Sequence, residues 1–289
     1  MTTIKPSMTM TRIQKALNKA GDIKIESGTY KITQTLYLKS ESKICCEDGV
    51  VFEKKCLPSM FMTAVTDKTT KYRGVKNLVW IGGYFRSAVT GKTQSNIITI
   101  FHADGVNISK AFFEGGKAPH CIEINASRNV TIGQCQFENH VPAQAYKEAI
   151  QIDFAYYAGL TYADPDVPTY DATHCRNVQI INCNFFKVGH AIGTHTVAHE
   201  DKHHAGILVK GCQYVGSKDG VFVKCLNMQD VIIAANTIRN ASRAVFINAV
   251  KTEYQTNGVK VKVDNPKRCK DVLIQANGFT GCETEVQVV

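Results

Sequence analysis

The chain of 289 residues lacks any apolar run that approaches the roughly 18 residues of a membrane-spanning helix. The segment Met1–Ser7 also lacks the charged and then apolar pattern of a secretion signal, so no classical export signal is predicted. We therefore expect no membrane insertion, and the localisation stays open at this point. The charged fraction of 20% and the hydrophobic fraction of 44% are ordinary for a globular protein, which excludes a disordered, collagen-like or coiled-coil chain.

Cysteine pairs at metal-binding spacing are missing as well. The chain has 11 Cys, an odd number, and none of them forms a CxxC motif, so we predict neither a disulfide framework nor a structural zinc site. His199 and His203 have the spacing of a helical metal pair, but no further ligand at a recognised spacing completes a site. The sequence therefore predicts no metal or other cofactor, although it leaves a divalent cation open.

No long basic segment is present, although the chain carries a formal net charge of +9. Its 34 Lys and Arg are scattered, and nucleic-acid recognition would need basic columns on one face. A positive surface favours an anionic partner. We therefore predict an acidic polysaccharide as the partner and no nucleic acid.

What the chain does contain is an internal repeat. Short apolar alternations are each followed by a small or amide residue and then, two positions later, by a bulky one. The alternations begin at Leu78, Val106, Val130, Val178, Ile207, Val231 and Val272. The small or amide residues of the last six copies are Ala111, Cys135, Cys183, Cys212, Asn236 and Asn277. The bulky residues are Phe113, Phe137, Phe185, Tyr214, Ile238 and Phe279.

A second apolar alternation accompanies each copy and begins at Ile98, Ile122, Ile150, Ile192, Val221, Val245 and Val286, at spacings of 24 to 42 residues. Strands at this period, each with one apolar side, stack into a solenoid whose identical positions form ladders. Hairpin turn signals are too few for a β-sandwich, and the shorter spacings do not fit a propeller blade. We predict that aromatic residues stack along the axis and that Cys135, Cys183 and Cys212 point into the core.

The start of the chain shows where a resemblance begins. Arg12–Leu17 has the pattern of a short amphipathic helix, and Gly28–Ile32, with the sequence Gly-Thr-Tyr-Lys-Ile, has that of a strand. This order resembles right-handed parallel β-helix proteins of the pectate-lyase-like superfamily, including phage tailspikes, prophage proteins and bacterial polysaccharide-degrading enzymes. The resemblance implies an all-β, single-stranded right-handed parallel β-helix over residues 1–289. Within it we expect a cap helix at 9–20, a tyrosine-rich insertion at 154–175 and a second insertion at 249–269.

The same resemblance implies a polysaccharide partner, an extracellular or virion-associated location, and a homo-oligomer such as a trimer. It assigns no catalytic residues. The polygalacturonase motifs are not present, Gly189-His190-Ala191 being only a partial echo of one of them, and the calcium-binding acidic cluster of pectate lyases cannot be located. The superfamily holds lyases, hydrolases, epimerases and plain binders, so the fold alone does not decide the chemistry.

Strand alternation predicts which residues face outward on the sheet formed by the second set of strands. We define three outer columns of stacked positions. The first outer column is Asn96, His120, Glu148, His190, Asp219 and Arg243. The second outer column is Thr99, Glu123, Gln151, Gly193, Phe222 and Phe246. The third outer column is Phe101, Asn125, Asp153, His195, Lys224 and Asn248. Acid, imidazole and amine groups on successive coils are the groups that proton transfer uses.

From these columns we predict a groove on the outer face of this sheet that binds and cleaves a glycan, the alternative being a solvated face without function. The predicted catalytic residues are His195, Asp153, Lys224, Glu148, Asp219 and Arg243. The predicted substrate-binding residues are Gln151, His190, Glu123, Asn125, Asn248, Tyr156, Tyr157, Tyr162 and Tyr170, the four tyrosines lying in the long insertion. The leading hypothesis is β-elimination, with His195 as base and Lys224 neutralising a uronate. The alternatives are hydrolysis by Asp153, Glu148 and Asp219, and a non-catalytic glycan-binding or structural module.

Overall fold

A computed structural model of the chain describes residues 1–66, 68–89, 95–141, 147–155, 170–194, 202–217, 219–247, 253–256, 259–262 and 268–289, with the backbone alone for 253–256 and 259–262. Three long sheets, all of parallel strands, run through these residues. The first sheet has ten strands: Thr2–Ile4, Gly21–Ile25, Ser42–Cys46, Lys76–Ile81, Asp104–Ser109, Arg128–Gly133, Arg176–Ile181, His204–Lys210, Met228–Ala234 and Lys270–Gln275. The second sheet has nine: Gly28–Ile32, Val50–Lys54, Tyr84–Ser87, Phe112–Gly116, Gln136–His140, Asn184–Val188, Gln213–Val215, Thr237–Arg239 and Gly278–Thr280. The third sheet has nine: Leu36–Leu38, Phe61–Thr63, Ile98–Phe101, Ile122–Asn125, Glu148–Asp153, His190–Thr194, Val221–Cys225, Arg243–Ile247 and Thr284–Val288.

The chain visits the three sheets in turn, so each coil contributes one strand to each sheet. Hydrogen bonds join every strand to its equivalent in the next coil. The protein is thus a right-handed parallel β-helix, and the predicted fold class is confirmed. A separate antiparallel hairpin, Glu253–Thr256 with Val259–Lys262, lies within the segment predicted as the second insertion.

One short helix, Met10–Leu17, lies at the start of the solenoid. The side chain of Thr9 accepts a hydrogen bond from the Arg12 N–H (3.4 Å), which satisfies one of the free amides of the first turn. The apolar face buries Ile13, Ala16 and Leu17. The helix lies within the segment predicted to cap the coils, and no helix among the described residues is long and apolar enough to cross a membrane.

The core consists of ladders of identical side chains along the axis. The rings of Phe85, Phe113, Phe137 and Phe185 are stacked, with successive centroids 4.8–5.0 Å apart and interplanar angles of 7–13°. The Asn236 amide donates to Asn277 Oδ1 (2.9 Å) in the next coil. These contacts confirm the predicted aromatic and amide ladders.

The three stacked cysteines of the repeat also lie inside the solenoid. Cys135, Cys183 and Cys212 are at most 1% exposed. The Cys183 N–H donates to Cys212 Sγ (3.5 Å) of the following coil. Their predicted role as small buried side chains is confirmed, and the cysteines of the described residues are free thiols.

Candidate functional site

The outer face of the third sheet carries the predicted polar columns, and its central register is as predicted. Glu123 pairs with Gln151, and Asn125 pairs with Asp153, on adjacent strands. Glu148 pairs with His190 on the next strand. The strands bend near their start, because Ala149 and Ile150 both pack in the core while Gln151 faces outward. This bend separates the first outer column from the second.

The register predicted for the strand Val221–Cys225 is wrong by two residues. Ile192 pairs with Val223, and Lys224 pairs with Gly193 on one side and Phe246 on the other. Lys224 therefore belongs to the second outer column and does not follow Asp153 in the third.

The residues before Lys224 shift with it. Phe222, predicted to face outward, is fully buried, with its ring 5.5 Å from that of Tyr214. Val221, and not Asp219, pairs with His190 and Arg243 in the first outer column. Asp219 lies in the turn before the strand. Phe222 occupies the position that Ala149, Ala191 and Ala244 hold on the other coils. The prediction failed here because it expected a small residue at that position.

The central polar side chains are buried, whereas a groove or a solvated face would leave them accessible. Glu123, Gln151, Asp153 and Glu148 are each 1–2% exposed. Because burying an ionised carboxylate is costly unless it is paired or hydrogen-bonded, the partners of these groups decide their protonation.

Asp153 is held by its own strand. The Gln151 amide donates to both carboxylate oxygens of Asp153, at 3.1 Å each. Burial and then the negative charge of Glu123 raise the pKa of Asp153 well above its usual range, against the opposing effects of the Gln151 hydrogen bond and then of Lys147. This shift favours the protonated form of Asp153, the form that can donate a proton.

Glu123 lies on the neighbouring strand, diagonally opposite Asp153. A strand spacing of ~4.8 Å and an offset of two residues place their Cα atoms roughly 8 Å apart. Glu123 accepts a hydrogen bond from the Asn96 amide. Asn96 also donates to Thr99 Oγ1 (3.1 Å), which bonds the Ser59 hydroxyl (2.7 Å). A network of buried side chains therefore holds the Glu123 carboxyl group as a hydrogen-bond acceptor beside the Asp153 strand.

Glu148 forms a separate pair with Lys224 across the sheet. Its side chain crosses Gly193, where an added Cβ would lie 2.9 Å from Glu148 Cγ. The glycine in the second outer column therefore makes room for this ion pair. His190 lies nearby, and burial followed by the charges of Lys224 and Arg243 lowers its pKa to about 4. His190 is neutral at physiological pH.

Of the other predicted site residues, three lie in the described part of the chain and five lie outside it. Tyr170 packs on Phe101, with ring centroids 6.5 Å apart, beside Ala126 and Ala155. This contact covers an apolar patch of the outer face. Arg243 lies over the Phe246 ring (4.5 Å), and Asn125 is buried. The predicted residues outside the described part of the chain are His195, Asn248, Tyr156, Tyr157 and Tyr162.

Sequence reasoning missed the supporting residues of the acid pair. Ser59 and Lys147 carried no signal in the repeat, because both lie outside the apolar alternation. His120 was placed in the first outer column without a role, and its Nδ1 lies 2.5 Å from the Glu148 carbonyl oxygen. Within the described ranges, no group of three or more His, Cys, Asp or Glu could hold a metal ion.

Comparison with known proteins supports the fold. No family model and no curated protein sequence matches the chain. Among solved structures, it is similar to the surface adhesin PfbA of Streptococcus pneumoniae, with a TM-score of 0.73, 20% identity, and coverage of 93% of this chain and 67% of the adhesin. It is also similar to a family 28 exopolygalacturonase of Yersinia enterocolitica, with a TM-score of 0.59, 12% identity and coverage of 93% and 62%.

A third similar structure is the tailspike protein of E. coli bacteriophage HK620 in complex with a pentasaccharide. The TM-score is 0.53, the identity is 13%, and the match covers 95% of this chain. The chain spans about half of the tailspike chain, 54%. At these identities the three structures show the class of protein, a parallel β-helix of the kind found in tailspikes and polygalacturonases.

Proposed function

We propose that the protein binds a polysaccharide along the outer face of the third sheet and hydrolyses it. Asp153 acts as the general acid and Glu123 as the general base. The observation that carries this proposal is the diagonal pair of carboxyl groups in unlike environments, one of which has its pKa raised by burial and by the charge of the other. Most glycoside hydrolases use two carboxyl groups of this kind, one as the acid and one as the base or nucleophile.

In the proposed reaction Asp153 donates its proton to the glycosidic oxygen as the bond from that oxygen to the anomeric carbon breaks. A water molecule attacks the anomeric carbon from the opposite face and gives its proton to Glu123. This inverting course requires room for a water molecule between the two carboxyl groups, and the anomeric configuration of the product tests it. Gln151 positions Asp153, and Asn96 positions Glu123.

The similar proteins support a glycan as the ligand. One is an exopolygalacturonase and one was solved with a bound pentasaccharide. Together with the surface adhesin, they also support an extracellular or virion-associated location. The net charge of +9 favours an acidic polymer, because a positive surface attracts polyanions. A trimer remains a proposal from the resemblance to tailspikes.

β-Elimination is the other chemistry that the sequence suggested. It would use His195 as base, which lies outside the described residues, and Lys224 to neutralise a uronate. The charge of Lys224 is already paired with Glu148, which weakens this role. The described residues therefore favour hydrolysis, and the products distinguish the two reactions, since only elimination leaves an unsaturated sugar.

Non-catalytic glycan binding is a second candidate, and the burial of the carboxyl groups favours it. Asp153 and Glu123 are each 2% exposed, so a substrate could reach them only if the covering residues moved. If they do not move, the polar layer would rigidify a binding surface.

A panel of acidic and neutral polysaccharides, with product analysis by NMR, tests the proposal. We expect new reducing ends with inverted anomeric configuration. Asp153→Asn and Glu123→Gln should each lower turnover by about 100-fold or more. Glu138→Gln makes the same change in the second-sheet strand Gln136–His140 and should be active. Binding without cleavage would select the non-catalytic candidate, and full activity of Asp153→Asn would refute the assigned acid.

A further inference from the structure

A group of basic and imidazole side chains lies beside the end of the Asp153 strand. We call His174, Arg176 and Lys202 the basic corner. The Ala155 N–H donates to the Thr173 carbonyl oxygen (2.9 Å), and the Cys175 thiol donates to the Asp153 carbonyl oxygen (3.4 Å). The segment that carries His174 and Arg176 is therefore fixed directly against the strand of the proposed acid.

Arg176 carries a charge that no acidic residue balances within the described part of the chain. Its neighbour in the first sheet is Arg128, on the preceding coil. Arg128 donates to Asp104 Oδ2 (2.7 Å) and lies over the Tyr72 ring (5.0 Å). On the following coil Arg176 pairs with Ala205, which has no charge to offer. Two arginines therefore lie side by side on adjacent strands, and the one carboxylate nearby bonds Arg128 and not Arg176. Like charges placed opposite one another are unfavourable in the absence of a further anion.

His174 orients the guanidinium. Arg176 Nε donates to His174 Nε2 (2.6 Å), so that the imidazole accepts at Nε2 and carries its proton on Nδ1. His174 Nδ1 is buried and has no hydrogen-bond partner among the described residues. Because Nε is occupied, the two terminal nitrogens of Arg176 are left as a preoriented fork. Such a fork matches the two oxygens of a carboxylate or a sulfate.

The charges around His174 are mainly positive. Burial, followed by Arg176, Lys202 and His203, lowers the pKa of His174 to about 4. The Lys202 ammonium donates to the Ala172 carbonyl oxygen (3.2 Å) and forms no ion pair within the described ranges. Tyr72 meets His174 edge to face, at a centroid distance of 6.5 Å.

The acidic residue of this segment is already engaged. Asp171 accepts hydrogen bonds from the N–H groups of Lys71 (2.7 Å) and Thr173 (3.0 Å). The corner therefore combines a fixed guanidinium fork, an ammonium group and a neutral imidazole, and its own carboxylate is turned to the backbone.

We propose that the basic corner binds an oxyanion, the carboxylate or sulfate group of an acidic glycan whose next sugars lie along the third sheet. Arg176 takes the anion in a bidentate contact, Lys202 adds charge, and His174 positions Arg176. The identity of the anion as part of a glycan rests on the proposed function, whereas the anion site itself does not.

NMR of the His174 ring tests the site without any turnover. The full chain is titrated with sulfate, with galacturonate and with galactose at constant ionic strength, and the His174 signal is assigned by its loss in His174→Gln. A bound anion stabilises the imidazolium, so we expect the His174 pKa to rise by about one unit or more with sulfate and galacturonate. Galactose should leave it unchanged.

Arg176→Gln should weaken anion binding at least tenfold, whereas Arg239→Gln, an exposed arginine of the second sheet, should bind as the native chain does. A response to sulfate alone would support the site and assign it to sulfated sugars. A His174 pKa that ignores all anions, or an equal response in Arg176→Gln, would overturn the inference. If the protein hydrolyses neutral glycans and the His174 pKa does not respond to anions, the anion site is refuted and the proposed function stands. If the protein binds anions at this site and cleaves no glycan, the anion site stands and the proposed function is refuted.

Discussion

Phe185 and Phe186 are consecutive phenylalanines on opposite faces of one strand, which makes them a matched pair for testing the solenoid core. Phe185 is 1% exposed and stacks on Phe137 at a centroid distance of 4.8 Å and an angle of 9°. Phe186 is 42% exposed, with the Lys187 ammonium 5.3 Å from its ring. Alanine at either position removes the same atoms, so a difference in stability measures the core alone.

The expected difference follows from burial. Replacing a fully buried Phe by Ala costs about 3–5 kcal/mol. Phe185 is the last of the four stacked rings and also contacts the Phe222 ring edge to face (6.2 Å), so we expect its loss to lie near the middle of that range, at about 4 kcal/mol. Phe186→Ala loses partial burial and a cation–π contact of roughly 0.5–1 kcal/mol. The two variants should therefore differ by about 3 kcal/mol in the free energy of unfolding.

Urea unfolding followed by far-ultraviolet circular dichroism measures both variants. Because coils unfold as neighbours in a row, the transition is checked with a second probe before a single free energy is assigned. Equal losses for the two variants, or a loss below about 1 kcal/mol for Phe185→Ala, would show that the inward ladder does not carry the core.

Two further predictions concern single positions. Gly193→Ala should lower the free energy of unfolding in urea by about 1–3 kcal/mol, because the new methyl group displaces Glu148 from Lys224. Gly278→Ala is the neutral control, because an added Cβ at Gly278 meets no atom within 4 Å. Equal losses of stability in the two variants would contradict the steric argument. Lys54 is buried and its pKa is lowered to about 8, so the unfolded chain binds more protons between pH 8 and the unfolded value of 10.5. The Lys54 contribution to stability should therefore rise by about 3 kcal/mol across that window. Buried thiols with a raised pKa, such as Cys121 and Cys175, lower the stability of the native chain and of Lys54→Met alike as the pH rises, so the measurement is the difference in unfolding free energy between the two chains. A difference that stays constant across the window would refute the assignment.

Most of the fold was predictable because each coil repeats the same physical requirement. An inward position must be apolar on every coil, so Val106, Val130 and Val178 reveal their stacking without any long-range information. The strand Val221–Cys225 failed because alternation breaks where the strand bends. There two successive side chains, Phe222 and Val223, face the core. Strict alternation placed Val221 and Val223 inward, because these two residues are apolar as well.

The site was predictable only in part. Outward polar residues such as Glu123 and Asp153 follow from the register, and so does their closeness. Their burial does not, because it depends on what lies over the sheet and not on the strand itself. The ion pair of Glu148 with Lys224 could not be predicted from the sequence either, because it depends on the corrected register and on the space above Gly193.

The in-register stacking of coils has a consequence for the length of the molecule. Val106 and Val130 are direct neighbours in the first sheet, so excision of residues 106–129 would join two positions that are equivalent in the solenoid. The rod would shorten by ~4.8 Å and keep every ladder. The excised coil contains Glu123, and its loss would bring the Asp153 strand against the strand of Thr99. Such a shortened chain should still fold as a β-helix and should lose the proposed activity, because the fold does not depend on this coil and the pair of Glu123 and Asp153 does.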